Sequence, residues 1–239
     1  MDRLSGVDEL LDGPLDDPRD LAGNLRDLAR VNRWLGGVRL SATAIESVAP
    51  GSAPLHVLDV GTGGADIPLA LIERGRLTGR LVTVTGIDTR LEVLAAAAAA
   101  IIDPRATATG ELTLHVGDGL ALPFADRSFD VVHCSLVAHH LEPHAVRTLL
   151  AEMCRVALRG VVVNDLVRGR AAWIGAWMLS HTLTRNPLTR HDAPLSVRRA
   201  YTVAELTALL AAAGLRVVAR TDGLLGHRVA LAARPVGMA

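Results

Sequence analysis

The chain has 239 residues, half of them apolar and 21% charged, with 25 basic side chains set against 25 acidic ones. That length and apolar content suit one domain with a sizeable core and exclude a disordered chain. Zero net charge argues against a dominant nucleic-acid footprint, which needs a surplus of positive charge.

Every basic residue is Arg, so chemistry that needs a catalytic Lys is excluded, both the Schiff base and the phosphate-cradling P-loop. Cys134 and Cys154 are not a CxxC pair, and neither a disulfide framework nor a zinc knuckle is indicated. The first twenty residues hold Asp2, Asp8, Glu9, Asp12, Asp16, Asp17 and Asp20 against Arg3 and Arg19, broken by Pro14 and Pro18. They read as a poorly structured lead-in, the opposite of a secretory signal. Leu21, Leu25, Leu28, Val31 and Leu35 then recur at helical spacing, and Gly36-Gly37 ends that helix. A second helix is expected over 40–48, followed by a turn or linker at 50–54.

From there strands and helices alternate. Strands are expected at 55–60, 81–87, 111–116, 129–135 and 160–164, with helices at 67–74, 91–102 and 143–158. A strongly apolar helix over 170–183 carries Trp173, Trp177 and Met178, and 184–199 reads as a polar, basic loop. Thr202 and Glu205 form a capping box for a helix ending near Ala213. Two strands, 215–220 and 227–233, close the chain. This order implies a doubly wound α/β sheet of seven strands with helices on both faces. Residues 1–54 form the lead-in and a helical cap, and 55–239 the main domain, with an insert at about 166–201. No apolar stretch reaches the roughly 20 residues that span a bilayer, so a soluble, cytoplasmic protein without membrane insertion is expected.

The segment from Leu55 to Asp66, with Asp59, Gly61, Thr62, Gly63 and Gly64, is a glycine-rich turn between a strand and a helix. Such a turn lets backbone approach a ligand closely. The dinucleotide fingerprint wants a third glycine where Asp66 stands, and an acid there faces a pyrophosphate badly. Asp59, two residues before Gly61, suits a cationic ligand. A plain strand–helix turn is the alternative. Asp88 ends the second strand, where a carboxylate can accept both hydroxyls of a ribose. Asp118 follows the third strand, and Leu122-Pro123-Phe124-Ala125-Asp126-Arg127-Ser128-Phe129-Asp130 follows it.

The D-x-G-T-G pattern from Asp59 resembles motif I of the class I S-adenosylmethionine-dependent methyltransferases, and the 122–130 run resembles that family's L-P-F-x-D-x-S-F-D stretch. The resemblance extends over residues 55–165, and the chain looks most like the small-molecule branch with the ubiquinone and menaquinone methyltransferases. It implies a Rossmann-like sheet whose last strand is antiparallel, with S-adenosylmethionine as cofactor. Gly61, Thr62 and Gly63 would pack on the methionine part, with Asp59 near its ammonium. Asp88 would meet the ribose, with Thr89 beside it as a further cofactor contact, and Asp118 and Gly119 would meet the adenine. Ser135 and Leu136 would line the cofactor, and Arg33 would reach it from the N-terminal helix.

Ligands bind at the carboxyl ends of the strands in such sheets, so His139 and His140 are expected near the transferred methyl. Imidazole suits a general base for a hydroxyl. His140 is the first candidate, with His139 and His191 behind it; capping or lining the pocket wall is the other use of these rings. His133, inside the fourth strand, reads as a packed core residue. His140 and His144 have the spacing of two metal ligands, but no third ligand completes a site and no metal is expected. The acceptor side falls to the N-terminal helix and to the insert with Trp173, Trp177, Met178, His181 and Arg185. The Trp face suits a lid, ordinary packing or contact with a second copy. The function read from the sequence is methyl transfer to a small, largely apolar molecule, first to a phenolic or enolic oxygen. C-methylation of a quinol-like ring and a non-catalytic cofactor-binding protein are the alternatives.

Overall fold

The computed structural model describes residues 1–14, 17–101 and 105–237. Its strands are β1 (Leu55–Val60), β2 (Val82–Asp88), β3 (Leu112–Val116), β4 (Phe129–Ser135), β5 (Ala157–Leu166), β6 (Leu215–Asp222) and β7 (Arg228–Pro235). They form one sheet in the order β3-β2-β1-β4-β5-β7-β6. The pairs β3·β2, β2·β1, β1·β4 and β4·β5 are parallel; β7 runs antiparallel to both β5 and β6. The helices are α1 (Pro18–Trp34), α2 (Gly37–Val48), α3 (Asp66–Thr78), α4 (Leu91–Ala100), α5 (Arg105–Ala108), α6 (Pro143–Val156), α7 (Arg170–Leu183), α8 (Pro187–Arg199) and α9 (Val203–Ala212). Short 3₁₀ turns lie at Leu10–Asp12, Ala138–His140 and Leu224–Gly226.

A strand covered on both faces reads as a continuous apolar run. In β1, Leu58 belongs to one buried cluster with Leu149, Leu150 and Leu206 of α6 and α9, while Val57 belongs to a second with Ile45, Ile72 and Ala97 of α2, α3 and α4. The sheet is thus doubly wound, as the alternating pattern implies. Each fully buried Val, Leu or Ile side chain contributes about 1.5–3 kcal/mol. No helix among the described residues is long and apolar enough to cross a membrane.

Two expectations are corrected. The stretch 184–199 is not a loop from Pro187 onward but helix α8. The Asn186 side chain caps it by accepting the Thr189 N–H, Pro187 opens it, and Leu188, Leu195 and Val197 are buried. Its composition looks solvated because Asp192 and Arg199 are charged, yet both are buried and partnered. The lead-in is also not poorly structured where described. Leu4 N–H donates to the Arg198 carbonyl, Arg3 reaches Glu142 and the carbonyls of Leu141 and Arg199, and Leu10 and Leu11 N–H donate to Asp192. Asp16 of the lead-in and Ile102 of the 91–102 helix lie outside the described residues.

Beneath the carboxyl ends of the strands runs a buried polar network centred on Arg228, which opens β7 and is 1% exposed. Its Nε donates to Asn164 Oδ1, Nη1 to Asn32 Oδ1 and Nη2 to Ser135 Oγ, each at 2.6 Å. Asn164 Nδ2 donates to Ser41 Oγ at 2.7 Å, and Ser41 meets His133 Nε2 at 2.8 Å. His133 Nδ1 donates to Asp59 at 2.6 Å, while Asn32 Nδ2 donates to Asp66 at 2.9 Å. Burial pulls the Arg228 guanidinium down to about 10, against the pull of Asp165 and Asp66. Gly37 is part of this design: a Cβ there would stand 2.6 Å from Arg228 Nη1 and 2.7 Å from Asn32 Oδ1. Replacing one member of a buried charged network strands the others. Arg228→Met is therefore expected to cost about 3–5 kcal/mol in urea denaturation; a loss below about 1 kcal/mol would show that the network carries no stability.

Candidate active site

The site begins where β1 ends. Gly61 has φ +69°, and a Cβ on it would lie 2.5 Å from Val137 Cγ2, so both the backbone and the neighbour after β4 demand glycine. Thr62 N–H donates to the Ile87 carbonyl of β2, and Thr62 Oγ1 donates to Asp59 Oδ2 at 2.8 Å. Asp59 is 3% exposed, with its other oxygen on His133. Its carboxylate thus braces the turn from below. His133 is the core residue expected from the sequence, and its tie to Asp59 is the addition.

Gly63 N–H donates to Asp88 Oδ2 at 3.1 Å, and Arg90 N–H to Asp88 Oδ1 at 3.1 Å. Burial raises the Asp88 carboxyl above its usual range, against these two bonds. A carboxylate oxygen has two acceptor positions, so each Asp88 oxygen keeps one beyond its backbone donor. The position a Cβ of Gly63 would take has no atom within 4 Å, leaving space above the turn. The structure therefore brings Asp59, Gly61, Thr62, Gly63 and Asp88 together at adjacent strand ends. Thr89 is exposed; Asp118 is exposed and accepts the Leu120 N–H, and Gly119 is buried against Val60 and Leu149. Ser135 is held by Arg228, and Leu136 takes a left-handed φ of 58° with its N–H on the Asn164 carbonyl.

Helix α1 lies over the turn through Leu25, beside Gly64. Arg33 and Trp34 on that helix are exposed, and the α1 side chain directed into the site is Asn32, bound to Asp66 and Arg228. Asp66, noted in the sequence only as a misfit to a dinucleotide pattern, is thereby placed beside the turn, its carboxyl raised chiefly by burial.

The histidines after β4 form a second part. His139 is 2% exposed, with Nδ1 on Asp165 Oδ1 at 2.6 Å and its N–H on Asp165 Oδ2. His140 is half-buried, with Nδ1 on Asp12 at 3.0 Å, and the two rings are 4.3 Å apart. Burial opposes ionisation of Asp12, but the bond to His140 brings it down to about 2. Arg199 of α8 donates to the His140 carbonyl at 2.6 Å and to Asp12 at 3.2 Å. Glu9 is buried beside these rings, and burial pushes its carboxyl up to about 7. His191, on α8, has an exposed ring bonded to Asp192, and His144 is exposed on α6. Sequence reasoning missed Glu9, Asp12, Arg199 and Asp165. Only Asp165 carried a signal, being an acid near a strand end like Asp59 and Asp88.

Trp173 and Trp177 of α7 are 37% and 48% exposed, and Trp177 stacks on His181 with centroids 4.7 Å apart. Neither indole is buried against the sheet.

Residues 57–160 match the family model described as a methyltransferase domain. At the level of sequence, no curated protein matches the chain. Among solved structures it is similar to human N-acetylserotonin methyltransferase in complex with SAM, at TM-score 0.67 and 17% identity over 97% of this chain and 64% of that one. It is also similar to an O-methyltransferase family 2 protein from Planctomyces limnophilus in complex with apigenin, at TM-score 0.65 and 20% identity over 93% and 62%. The [4+2]-cyclase SpnF is similar at TM-score 0.59 and 18% identity over 84% and 81%. The chain thus spans less than two thirds of the length of the first two. At these identities the likeness establishes the Rossmann-like methyltransferase fold, a fold that SpnF shares.

The Gly61 geometry has a direct test. Gly61→Ala should lose about 1–2 kcal/mol from the left-handed backbone alone, and more from contact with Val137. Adding Val137→Ala should restore the contact part and not the backbone part in denaturant unfolding of the single and double variants. A Gly61→Ala protein as stable as its parent contradicts the account.

Proposed function

We propose that the protein is an S-adenosylmethionine-dependent methyltransferase acting on a small, largely apolar acceptor, with a phenolic or enolic oxygen as the methylated atom. The observation that carries the reading is the glycine turn facing Asp88, inside the stretch that matches the methyltransferase domain. The residues fit the cofactor. Asp88 keeps acceptor positions for two ribose hydroxyls, Gly63 leaves room for a ligand against backbone, and the acids Asp59 and Asp66 give the turn the negative character that suits an ammonium and a sulfonium. Asp118 and Gly119 are assigned to the adenine end, with Ser135 and Leu136 along the cofactor.

When bound, the cofactor supplies an electrophilic methyl on sulfur. The chain's own task is to hold the acceptor oxygen in line, exclude water and take up the acceptor's proton. Helix α1 and the docked lead-in cover the strand ends. His140 is the side chain to which the proton is assigned, because Asp12 fixes its Nδ1 as donor and leaves Nε2 to accept. His139 backs it from a buried position. O-methylation is favoured over attack by a ring carbon because an imidazole pair follows closely after Val137, which abuts the Gly61 turn, and O-methyltransferases are among the fold's neighbours. Zero net charge favours a small molecule over nucleic acid as acceptor.

Asp88→Ala should weaken S-adenosylmethionine binding by about 1–3 kcal/mol in calorimetry. Unchanged affinity in a folded variant would remove Asp88 from the cofactor site. For the chemistry, His140→Ala should lower kcat by about 10²–10⁴-fold while cofactor affinity changes little. That loss should shrink as pH rises toward the acceptor's own pKa, about 10 for a phenol. Near-normal kcat across the pH range would mean that positioning alone suffices.

A further inference from the structure

Glu9, His139 and His140 place one carboxylate oxygen and two ring nitrogens within 4.8 Å of one another. In both histidines a carboxylate holds Nδ1, Asp165 for His139 and Asp12 for His140. A carboxylate only accepts, so Nδ1 carries the proton and Nε2 is the free nitrogen. It is Nε2 that faces Glu9: His139 Nε2 lies 3.7 Å from Oε1, and His140 Nε2 lies 3.9 Å from Oε2. These separations are too long for hydrogen bonds. Glu9 is 4% exposed, and its Oε1 has no hydrogen-bond partner among the described residues. With Glu9 ionised, three acceptor groups thus converge with no donor hydrogen-bonded between them. The surroundings add negative charge from Asp12, Asp165 and Asp192, while Arg199, 4.0 Å from Glu9, is the cation on the other side of the balance. Ser196 hydrogen-bonds the Glu9 carboxyl, yet Oε1 stays without a partner, and a buried oxygen left so is costly.

We propose that Glu9, His139 and His140 form a binding site for a divalent cation of the zinc class. Two imidazoles and one carboxylate are a donor set for such an ion. With bonds of about 2.0–2.1 Å, ligands of a tetrahedral zinc stand about 3.4 Å apart, so three groups that lie within 4.8 Å of one another close by at most about 1.4 Å. Asp165 and Asp12 already occupy the outer positions that orient metal-bound imidazoles. Three protein donors leave a coordination position for water or an oxygen ligand. The site joins the lead-in to the end of β4, two segments that only the folded chain brings together.

Binding itself does not rest on the methyl-transfer reading. If that reading holds, Nε2 of His140 is a ligand in the loaded protein, and a bound cation would lower the pKa of a coordinated acceptor hydroxyl, whose proton would pass to solvent water. The use of that nitrogen as a base then belongs to the metal-free protein.

The test is a zinc titration of the chelator-stripped, folded protein by calorimetry, with cobalt as a spectroscopic probe. One zinc per chain is expected, together with the visible d–d absorption of tetrahedral cobalt and slower hydrogen exchange at the Leu10 and Leu11 amides. Glu9→Gln and His140→Ala should each weaken binding by about 100-fold or more, since loss of an outer partner alone costs up to about that much. His144→Ala, at an exposed ring outside the cluster, should leave it unchanged. No uptake of either ion by the intact protein, or uptake that survives both Glu9→Gln and His140→Ala, overturns the proposal and leaves protons to hold the cluster. None of these readouts needs turnover, so failure here and failure of methyl transfer are separate results.

Discussion

Arg228 has its guanidinium buried at the start of the last strand, and the rest of the strand-end architecture is arranged to satisfy it. A buried charge of this kind costs several kcal/mol unless every donor is matched. Here Nε, Nη1 and Nη2 reach β5, α1 and the end of β4 through Asn164, Asn32 and Ser135. Asp165 and Asp66 supply the opposing charge. One side chain therefore fixes how the antiparallel last strand, the N-terminal helix and the central strands meet. The hydrogen bonds run in one direction, from Arg228 through Asn164, Ser41 and His133 to Asp59, with Thr62 closing the far end. Each donor finds an acceptor if His133 carries its proton on Nδ1. The glycine turn is thus held from beneath by the same network that positions Ser135 and, through the Asn164 carbonyl, the left-handed Leu136.

This arrangement explains why the site is not a set of exposed side chains on loops. Asp59 and Asp66 face inward or are partnered, and Asp88 is tied to two backbone amides while keeping acceptor positions. A ligand would meet backbone and pre-set carboxylates, whose ordering cost is met in folding rather than in binding. The fold does not name the reaction, since the same architecture serves a cyclase as well as methyltransferases. The reading of methyl transfer rests on the acids at the strand ends, the glycine turn and the histidine pair.

Much of this was legible in the sequence because it is periodic or local. The bounds expected for β1 and β4 agree with the structure, as do those of the apolar helix α7 and the Thr202–Glu205 cap. These elements report burial on two faces, or a capping box, within a few residues. The glycine turn and Asp88 were likewise visible as punctuation at strand ends. What stayed hidden was long-range. Helix α8 looked like a solvated loop because nothing near Asp192 or Arg199 announces that their partners are Leu10, Leu11 and His140. The acidic lead-in looked disordered for the same reason. Asn32 outweighs Arg33 beside it only because α1 turns that face toward Arg228, 196 residues away. For the Trp173 and Trp177 face the sequence left a lid, packing and contact with a second copy open, and the structure leaves both indoles exposed.

The central claim is that the β1 turn and the strand-end acids make a site for a sulfonium nucleotide and not for a pyrophosphate dinucleotide. It is tested most directly by calorimetric titration of the intact protein with S-adenosylmethionine and, separately, with NADH. Saturable binding of one S-adenosylmethionine per chain is expected, with no heat of binding from NADH. Binding of NADH with none of S-adenosylmethionine would contradict it.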